Sequence, residues 1–276
     1  MEKELTVIVG PTAVGKTDYS IGLAKEYGSP IISCDSRQIF KEMKIGTAPP
    51  SPEQLEAVKH YFIFSHSVSQ YYTAGKYELE ALEVINELFK THDRLVVVGG
   101  SGLYVDALCY GLDDFPPADI ELRNSLMERL EKEGIESLRM ELKQLDPESY
   151  HSMDIANRQR VARALEVCLM TGRKFSSFKT NKAKERPFKI NRIVLSMPRE
   201  ELYDRINRRV DVMFDAGLVA EVESLQQYRH MPALQTVGYK EIFDYFDGKH
   251  SLETARELIK RNSRRYAKKQ ISYFKR

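Results

Sequence analysis

The first hundred residues alternate between short apolar segments and amphipathic segments. One helical stretch follows the first apolar segment and runs to about Tyr27, and a second, Ala74–Lys90, places its apolar residues on one face. The apolar segments are short and β-branched, which predicts buried strands at Glu4–Val9, Pro30–Asp35, His60–Ser65 and Arg94–Val98. Strands that alternate with helices predict a parallel sheet with helices on both faces.

After Gly111 the pattern changes. Residues Asp113–Asp119 have the composition of a linker. Consecutive helices are predicted at about Ile120–Glu133, Ile135–Leu145 and Ile155–Thr171. A strand at Ile190–Met197 returns to the sheet, and further helices are predicted near Glu200–Gln227, Gly238–Phe246 and Ser251–Phe274. We therefore predict an α/β core formed by residues 1–111 and 189–276, interrupted by an all-helical insertion domain of residues 112–188.

Composition narrows the class of protein. With 42% hydrophobic and 30% charged residues among 276, the chain lies in the globular range. Its three cysteines form no C-x-x-C pair, which excludes a zinc ribbon or a redox dithiol motif and indicates a reducing compartment. No apolar run approaches the ~18 residues that span a bilayer, and the first residues lack a signal-peptide profile. We expect a cytoplasmic protein that does not enter membranes.

The net charge of +2 conceals a strong asymmetry. Ala156–Arg192 carries a net +9 and Arg256–Arg276 a net +8, so the rest of the chain carries a net −15. Within the last helix two stripes of cations recur at four-residue spacing, which destabilises an isolated helix by about 0.2–0.5 kcal/mol per pair. These stripes consist of Arg256, Lys260, Arg264 and Lys268, and of Arg261, Arg265 and Lys269. The pattern indicates contact with a polyanion, while solvated helix faces stay open as the simpler alternative.

A phosphate-binding loop lies between the first predicted strand and helix. Its residues match G-x-x-x-x-G-K-[ST], whose backbone N–H groups and helix N-terminus surround phosphate oxygens. Lys16 adds a full positive charge, and the hydroxyl of Thr17 is the expected ligand of Mg²⁺. An ATP-dependent kinase is the default interpretation, but strand Arg94–Val98 ends in glycines instead of the acid that orients Mg²⁺ in P-loop ATPases. The candidate diphosphate-binding residues are Gly10, Pro11, Thr12, Ala13, Val14, Gly15, Lys16 and Thr17.

The available acid, Asp35, follows the second predicted strand. Because the carboxyl ends of parallel strands form the ligand crevice of an open sheet, we expect Asp35 and Ser101 to converge beside the loop. A helix N-cap is the structural alternative for Asp35.

Motifs along nearly the whole chain resemble the bacterial tRNA dimethylallyltransferases. They are GPTAVGKT, DSRQIF, GTAPP, VGGSGLY, RQRVARALEV with TGR, PREELYDRI, GLVAEV, TVGYKE and YAKKQISYF, in this order. The resemblance implies a P-loop NTPase-like sheet with a helical insertion. It also implies transfer of a dimethylallyl group from dimethylallyl diphosphate to N6 of adenine 37, next to the anticodon, in tRNAs that read codons starting with U. The product is N6-isopentenyladenosine. The expected partner is the anticodon stem-loop, the expected cofactor is Mg²⁺, and we expect a monomer.

The resemblance also assigns roles to residues. Asp35 matches the general base. Ser101 stands where the family usually has threonine, and its hydroxyl can still bridge substrate and phosphate. Arg209 is a further candidate for a diphosphate contact. The tRNA contacts implied are Asp35, Ser36, Arg37, Gln38, Ser101, Arg123, Gln159, Arg160, Val161, Ala162 and Arg163. Val161 also fits a plain helix core, and Tyr266 and Tyr273 are expected to be core anchors. The family's lysine in G-T-x-K-P is replaced by Pro49, so a tRNA contact by that lysine does not carry over.

Three alternatives remain at this stage. A small-molecule P-loop kinase requires neither the concentrated positive charge nor the sequence DSRQ. An adenylate isopentenyltransferase shares the loop and the aspartate, but it does not require a basic helical insertion. A non-catalytic RNA-binding switch leaves Asp35 and Ser101 without a role. Salt dependence separates RNA-acting proteins from the kinase, because tRNA binding falls steeply with salt.

Overall fold

The computed structural model describes residues 2–180 and 182–275, which form two compact units. One unit contains residues 2–111 and 185–275, and the other is Leu112–Lys184. The helical unit therefore ends before the predicted residue 188. The reason is that Arg186 and Phe188 pack on the first unit: Arg186 Nη2 lies 2.8 Å from Glu78 Oε1, and the rings of Phe188 and Phe89 lie 5.4 Å apart.

The first unit is built on a five-stranded parallel sheet of order β3-β2-β4-β1-β5. Its strands are β1 (Glu4–Val9), β2 (Ile31–Ser33), β3 (His60–Tyr61), β4 (Arg94–Gly99) and β5 (Lys189–Val194). In β1, Val7 pairs with Val97 on one side and Arg192 on the other. Strand β1 is almost wholly buried, which explains its continuous apolar run.

Helices flank this sheet in the first unit. In the second unit the described residues form helices and no strand. In chain order the helices are α1 (Lys16–Tyr27), α2 (Pro52–Ala57), α3 (Ala74–Leu88), α4 (Gly102–Tyr110), α5 (Ile120–Glu133), α6 (Ile135–Leu145), α7 (Pro147–Ser152), α8 (Arg158–Thr171), α9 (Arg199–Asp215), α10 (Leu218–Ser224), α11 (Lys240–Phe246) and α12 (Leu252–Phe274), with short 3₁₀ turns between some of them. Helices α5–α8 belong to the second unit. The predicted fold class is confirmed. No helix in the described ranges is long and apolar enough to cross a membrane.

Several predicted elements are shorter than the apolar pattern suggested, among them β2 and β5, and two of the differences have a clear backbone cause. The third strand ends at Tyr61 because Phe62 and Phe64 adopt φ of +62° and +51°, which no extended strand contains. The helix predicted over Glu200–Gln227 is divided into α9 and α10 at Gly217, where φ is +98°. Helix α2 was not predicted, although Ser51 and Gln54 form a capping box with proline at the first turn.

The helical unit has its own apolar core. Leucines of α5, α6 and α8 meet there, among them Leu130, Leu138 and Leu165, all buried. Glu166 is buried in the same unit without any exposed side-chain surface. A buried carboxylate needs charged or hydrogen-bonding partners, and four N–H donors reach it: the backbone of Asp119, Nε and Nη2 of Arg123, and Nη1 of Arg163.

Candidate active site

A cavity of about 550 Å³ opens at the carboxyl edge of the sheet, in the first unit. The segments that follow β1, β2 and β4 border it, together with α9 and α12. This is the position where ligands bind in open parallel sheets, because the loops there leave a crevice. The phosphate-binding loop and Asp35, which are far apart in the chain, both line this cavity.

The loop after β1 has the turned backbone that phosphate binding requires. Gly10 has φ +150°, Ala13 +67° and Gly15 +102°. A Cβ atom on Gly10 would lie 2.6 Å from the carbonyl oxygen of Leu195, so only glycine fits there. Of the eight predicted loop residues, Thr12, Ala13, Gly15, Lys16 and Thr17 line the cavity. The other three, Gly10, Pro11 and Val14, are buried outside its lining.

Lys16 is held in place by the loop itself. Its Nζ donates to the carbonyl oxygens of Gly10 at 3.0 Å and Pro11 at 2.8 Å. Burial lowers the pKa of the Lys16 ammonium to about 8; the Asp35 carboxylate opposes this shift and the Arg209 guanidinium adds to it. An anion bound in the loop would raise the pKa of Lys16 again, because a nearby negative charge favours the protonated ammonium.

Arg209 extends the positive charge from α9. Its Nη1 lies 3.2 Å from Thr12 Oγ1, so the guanidinium contacts the phosphate-binding loop. Burial lowers its pKa, and Arg205, one turn earlier on α9, adds to this. Arg205 also lines the cavity. In all, four Lys/Arg side chains and two aspartates line it, which favours an anionic ligand.

Asp35 shapes the turn after β2. Its Oδ1 accepts hydrogen bonds from the backbone N–H of Arg37 at 2.8 Å and of Gln38 at 3.2 Å. No helix begins here, since residues 36–39 form a turn, so Asp35 is not the helix N-cap that was the structural alternative. It supports a turn instead, and only one of its carboxylate oxygens is engaged. Because Asp35 is half-buried and lines the cavity, Oδ2 remains for a proton transfer.

Ser101 joins the ends of β2 and β4. Its Oγ accepts from the backbone N–H of Ser36 at 2.9 Å and donates to Ser36 Oγ at 3.0 Å. Ser101 itself is buried and is not part of the cavity lining. Ser36 and Ser101 therefore lie together next to Asp35, as expected from the common edge at which parallel strands end.

Two residues of α12, Gln270 and Tyr266, line the same cavity. Gln270, buried, accepts from the backbone N–H of Thr12 at 2.8 Å and donates to the carbonyl oxygen of Gly100 at 2.8 Å. Tyr266 lines the cavity, and burial of its hydroxyl end, with the Asp35 carboxylate nearby, raises its pKa to about 12. With 42% of its surface exposed, Tyr266 is not the core anchor expected from the sequence.

Comparisons with known proteins agree with this site. The family model described as IPP transferase matches residues 38–276. A tRNA dimethylallyltransferase of Bacteroides thetaiotaomicron is 51% identical over 272 residues, 99% of this chain and 88% of the relative. This chain belongs to the tRNA dimethylallyltransferase family.

Solved structures of the family share the fold. A tRNA isopentenylpyrophosphate transferase of Bacillus halodurans has a TM-score of 0.72 and 38% identity, covering 100% of this chain and 87% of that one. A eukaryotic dimethylallyltransferase acting on tRNA has a TM-score of 0.80 and 27% identity, covering 98% and 69%. The dimethylallyltransferase fold thus extends over the whole chain.

Four of the tRNA contacts that the family resemblance implied are buried or ion-paired within the helical unit. Val161 and Ala162 are buried in the core of the helical unit, so their side chains do not reach RNA there. Arg123 and Arg163 both bind the buried Glu166, at 2.7 Å each, and the N–H of Asp119 donates to it as well. Moving either arginine to a phosphate would leave a buried carboxylate less compensated, which is costly. These two arginines therefore stabilise the dimethylallyltransferase's helical unit.

Gln159 and Arg160 are the implied contacts that remain on the surface of that unit. Both are exposed at the start of α8. Arg160 has no ion-pair partner among residues 2–180 and 182–275. Its guanidinium is available for a phosphate.

The two cationic stripes of α12 differ in their environment. In the first stripe, Lys260 lies 2.8 Å from Asp211, and Arg264 donates to Asn207 at 2.6 Å. Three of its four residues thus contact α9, and only Lys268 of this stripe is exposed. The second stripe is exposed and includes Arg261, Arg265 and Lys269, with Lys268 beside it.

Sequence reasoning missed four side chains that shape the dimethylallyltransferase site: Arg205, Glu221, Tyr266 and Gln270. A signal existed for two of them. Gln270 occupies the helix face of Ala267 and Phe274, and Glu221 lies between Leu218 and Val222. A polar residue on an apolar helix face needs a buried partner.

Proposed function

We propose that this chain transfers a dimethylallyl group from dimethylallyl diphosphate to N6 of adenine 37, beside the anticodon of tRNA. The observation that carries the proposal is that a phosphate-binding loop and a carboxylate line one cavity. The loop holds the diphosphate, and the aspartate beside it can accept a proton from an attacking amine. A kinase can use the same two groups, so the acceptor is inferred from the relatives. The names of the relatives, tRNA dimethylallyltransferases, support the same reaction.

The reaction requires two kinds of help from the protein. As N6 attacks the allylic carbon, the C–O bond to the diphosphate breaks and negative charge grows on the leaving group. Lys16, Arg205 and Arg209 line the cavity and face that charge, and Lys16 and Arg209 are largely buried. The exocyclic amine is a weak nucleophile, so Asp35 accepts its proton while the C–N bond forms.

Magnesium fits this cavity as a partner of the diphosphate. Within the described ranges no group of three or more His, Cys, Asp or Glu side chains is arranged to hold a metal ion. Mg²⁺ commonly takes only one or two protein ligands and completes its shell with phosphate oxygens and water. Thr17, in the first turn of α1, offers its hydroxyl within the cavity. When bound, the ion would neutralise part of the diphosphate charge.

A transfer assay tests the proposal. Unmodified tRNA is mixed with Mg²⁺ and dimethylallyl diphosphate labelled in its allyl carbons, with AMP as a parallel acceptor and EDTA as a control. We expect label in tRNA, mapped by digestion to adenine 37, and none with EDTA. Label in AMP instead would favour an adenylate isopentenyltransferase. Label in neither would return the loop to ATP and a kinase.

The pKa of Lys16 predicts how diphosphate binding depends on pH. The ammonium is charged below a pKa of about 8 and loses its proton above it. We expect the affinity for inorganic diphosphate, measured by titration calorimetry, to be retained below pH 8. Above it the affinity should fall by about tenfold per pH unit, relative to the variant Lys16→Arg, which stays charged. Parallel profiles for the two proteins would contradict this role of Lys16.

Arg160 tests the contact between the helical unit and tRNA. We expect Arg160→Ala to weaken tRNA binding several-fold and to reduce the slope of log K against log salt by about one, because one phosphate contact is lost. Binding of diphosphate should not change. Lys132→Ala is the matched control, since Lys132 is exposed on the same unit and pairs with Glu128. Equal tRNA binding by both variants would exclude Arg160 from the interface.

We further propose that the protein acts in the cytoplasm as a monomer. Sedimentation of the purified protein, alone and with tRNA, tests the monomer.

A further inference from the structure

Glu221, on the short helix α10, has an unusual set of partners. Its Oε2 accepts from the backbone N–H of Lys44 at 2.8 Å and of Ile45 at 2.7 Å. Its Oε1 accepts from the N–H of Gly46 at 3.0 Å and from the hydroxyl of Tyr239 at 2.6 Å. One carboxylate thus gathers four donors from two distant parts of the chain, and three of them are consecutive backbone amides.

Tyr239 closes the other side of this segment. It is fully buried, and burial, with the Glu221 carboxylate, raises its pKa. A Cβ atom on Gly46 would lie 2.6 Å from the Tyr239 ring, so backbone and ring are in direct contact. The segment is therefore fixed from both sides.

The segment held in this way orients a side chain of the cavity. The Nε2 of Gln38 donates to the carbonyl oxygens of Thr47 at 3.2 Å and Ala48 at 2.9 Å. Ala48 has φ +47°, a conformation that needs support from its surroundings. Both amide hydrogens of Gln38 are thus used, and Oε1 is left as the atom that accepts a hydrogen bond from a ligand.

Gln38 is also tied to the base. Its backbone N–H donates to Asp35 Oδ1, and its side chain lines the same cavity. An acceptor oxygen held next to a base selects a ligand that presents an amine, such as the exocyclic amine of adenine. A shift of this oxygen by about 1 Å can cost on the order of 10²-fold in rate.

We propose that Glu221 is a positioning residue for the acceptor base: it fixes residues 44–46, whose continuation at Thr47 and Ala48 orients the Gln38 amide. The inference rests on the proposed function. Glu221 touches neither diphosphate-binding nor tRNA-binding residues named above, so its effect should be confined to the reaction of the bound base.

Glu221→Gln tests the inference. The amide can accept the two N–H groups at Lys44 and Ile45, but its NH₂ then faces the N–H of Gly46, a contact between two donors. We expect kcat for transfer to tRNA to fall about 10- to 100-fold. The KM for dimethylallyl diphosphate and the Kd for tRNA should stay within about twofold of wild type. Glu223→Gln is the matched control, because Glu223 is exposed on the same helix, and it should behave as wild type.

A double variant separates positioning from general support of the fold. If Glu221 acts through Gln38, then Gln38→Ala combined with Glu221→Gln should be no slower than Gln38→Ala alone, because coupled residues are not additive. Should Glu221→Gln not fold, Tyr239→Phe removes one of the four donors and should show a smaller loss with the same non-additivity.

Three results would overturn the inference alone: full activity of Glu221→Gln, additive losses in the double variant, or a loss confined to the KM for dimethylallyl diphosphate. Absence of transfer by the wild-type protein, folded and supplied with Mg²⁺, would overturn the proposed function and this inference with it.

Discussion

Replacing Asp35 by asparagine is expected to lower the rate of dimethylallyl transfer by about 10²- to 10⁴-fold, the usual contribution of a positioned general base. Asparagine keeps an oxygen in the place of Oδ1, so the hydrogen bonds to the N–H of Arg37 and Gln38 survive. What is lost is the ability to accept the proton of N6. Single-turnover transfer with saturating tRNA and dimethylallyl diphosphate measures this loss directly.

Asp35→Ala serves as the comparison, since it removes both the base and the turn. We expect Asp35→Asn to bind tRNA and diphosphate as wild type does, and to melt at a similar temperature. Asp35→Ala should lose the same activity and also some stability. Turnover of Asp35→Asn close to that of wild type would mean that the carboxylate only caps the turn.

The second large effect is expected for Lys16→Ala. Removing a buried donor that faces the developing charge costs about 2.7–4 kcal/mol of transition-state stabilisation, or about 10²- to 10³-fold in kcat. The affinity for inorganic diphosphate should fall as well, because the loop loses its full positive charge. Lys25→Ala is the control: Lys25 is exposed in the last turn of the same helix, α1.

The substitution Lys16→Ala should lower activity without lowering the stability of the folded protein. Since burial lowers the pKa of Lys16 to about 8, its ammonium is disfavoured in the folded protein at pH 7. The unfolded chain binds the proton more tightly between pH 8 and the ordinary value of 10.5, so the stability contributed by this group rises with pH in that window. Without ligands, Lys16→Ala should therefore melt no lower than wild type at pH 7. Activity of Lys16→Ala within about threefold of Lys25→Ala would refute its role.

Much of the fold could be predicted because its signals are local. Strand β1 coincides with the predicted Glu4–Val9, and the start of α8 and of α12 differs from the prediction by only a few residues. The early end of the third strand and the division between α9 and α10 could not be predicted in this way. They depend on left-handed backbone at Phe62, Phe64 and Gly217, which a pattern of apolar positions does not report.

The charge pattern was informative but could not distinguish roles. Arg160 and Arg163 lie on one basic stretch, yet Arg160 is exposed while Arg163 binds Glu166. Likewise Lys260 pairs with Asp211, while Arg265 stays exposed. The sequence gives the number of charged residues in a segment. Whether a given cation can bind RNA depends on whether the fold places an acidic side chain next to it.

The sequence alone determined the phosphate-binding loop, the parallel sheet and the placement of Asp35 and Ser101 at its carboxyl edge. These follow from contiguous motifs and from the rule that parallel strands end on the same side. Only the tertiary structure decided that Gln270 binds Thr12, 258 positions away, and that Glu221 holds residues 44–46. A polar group that becomes buried requires a hydrogen-bond partner, and that partner can come from any part of the chain. Which groups are buried is decided only when the chain folds.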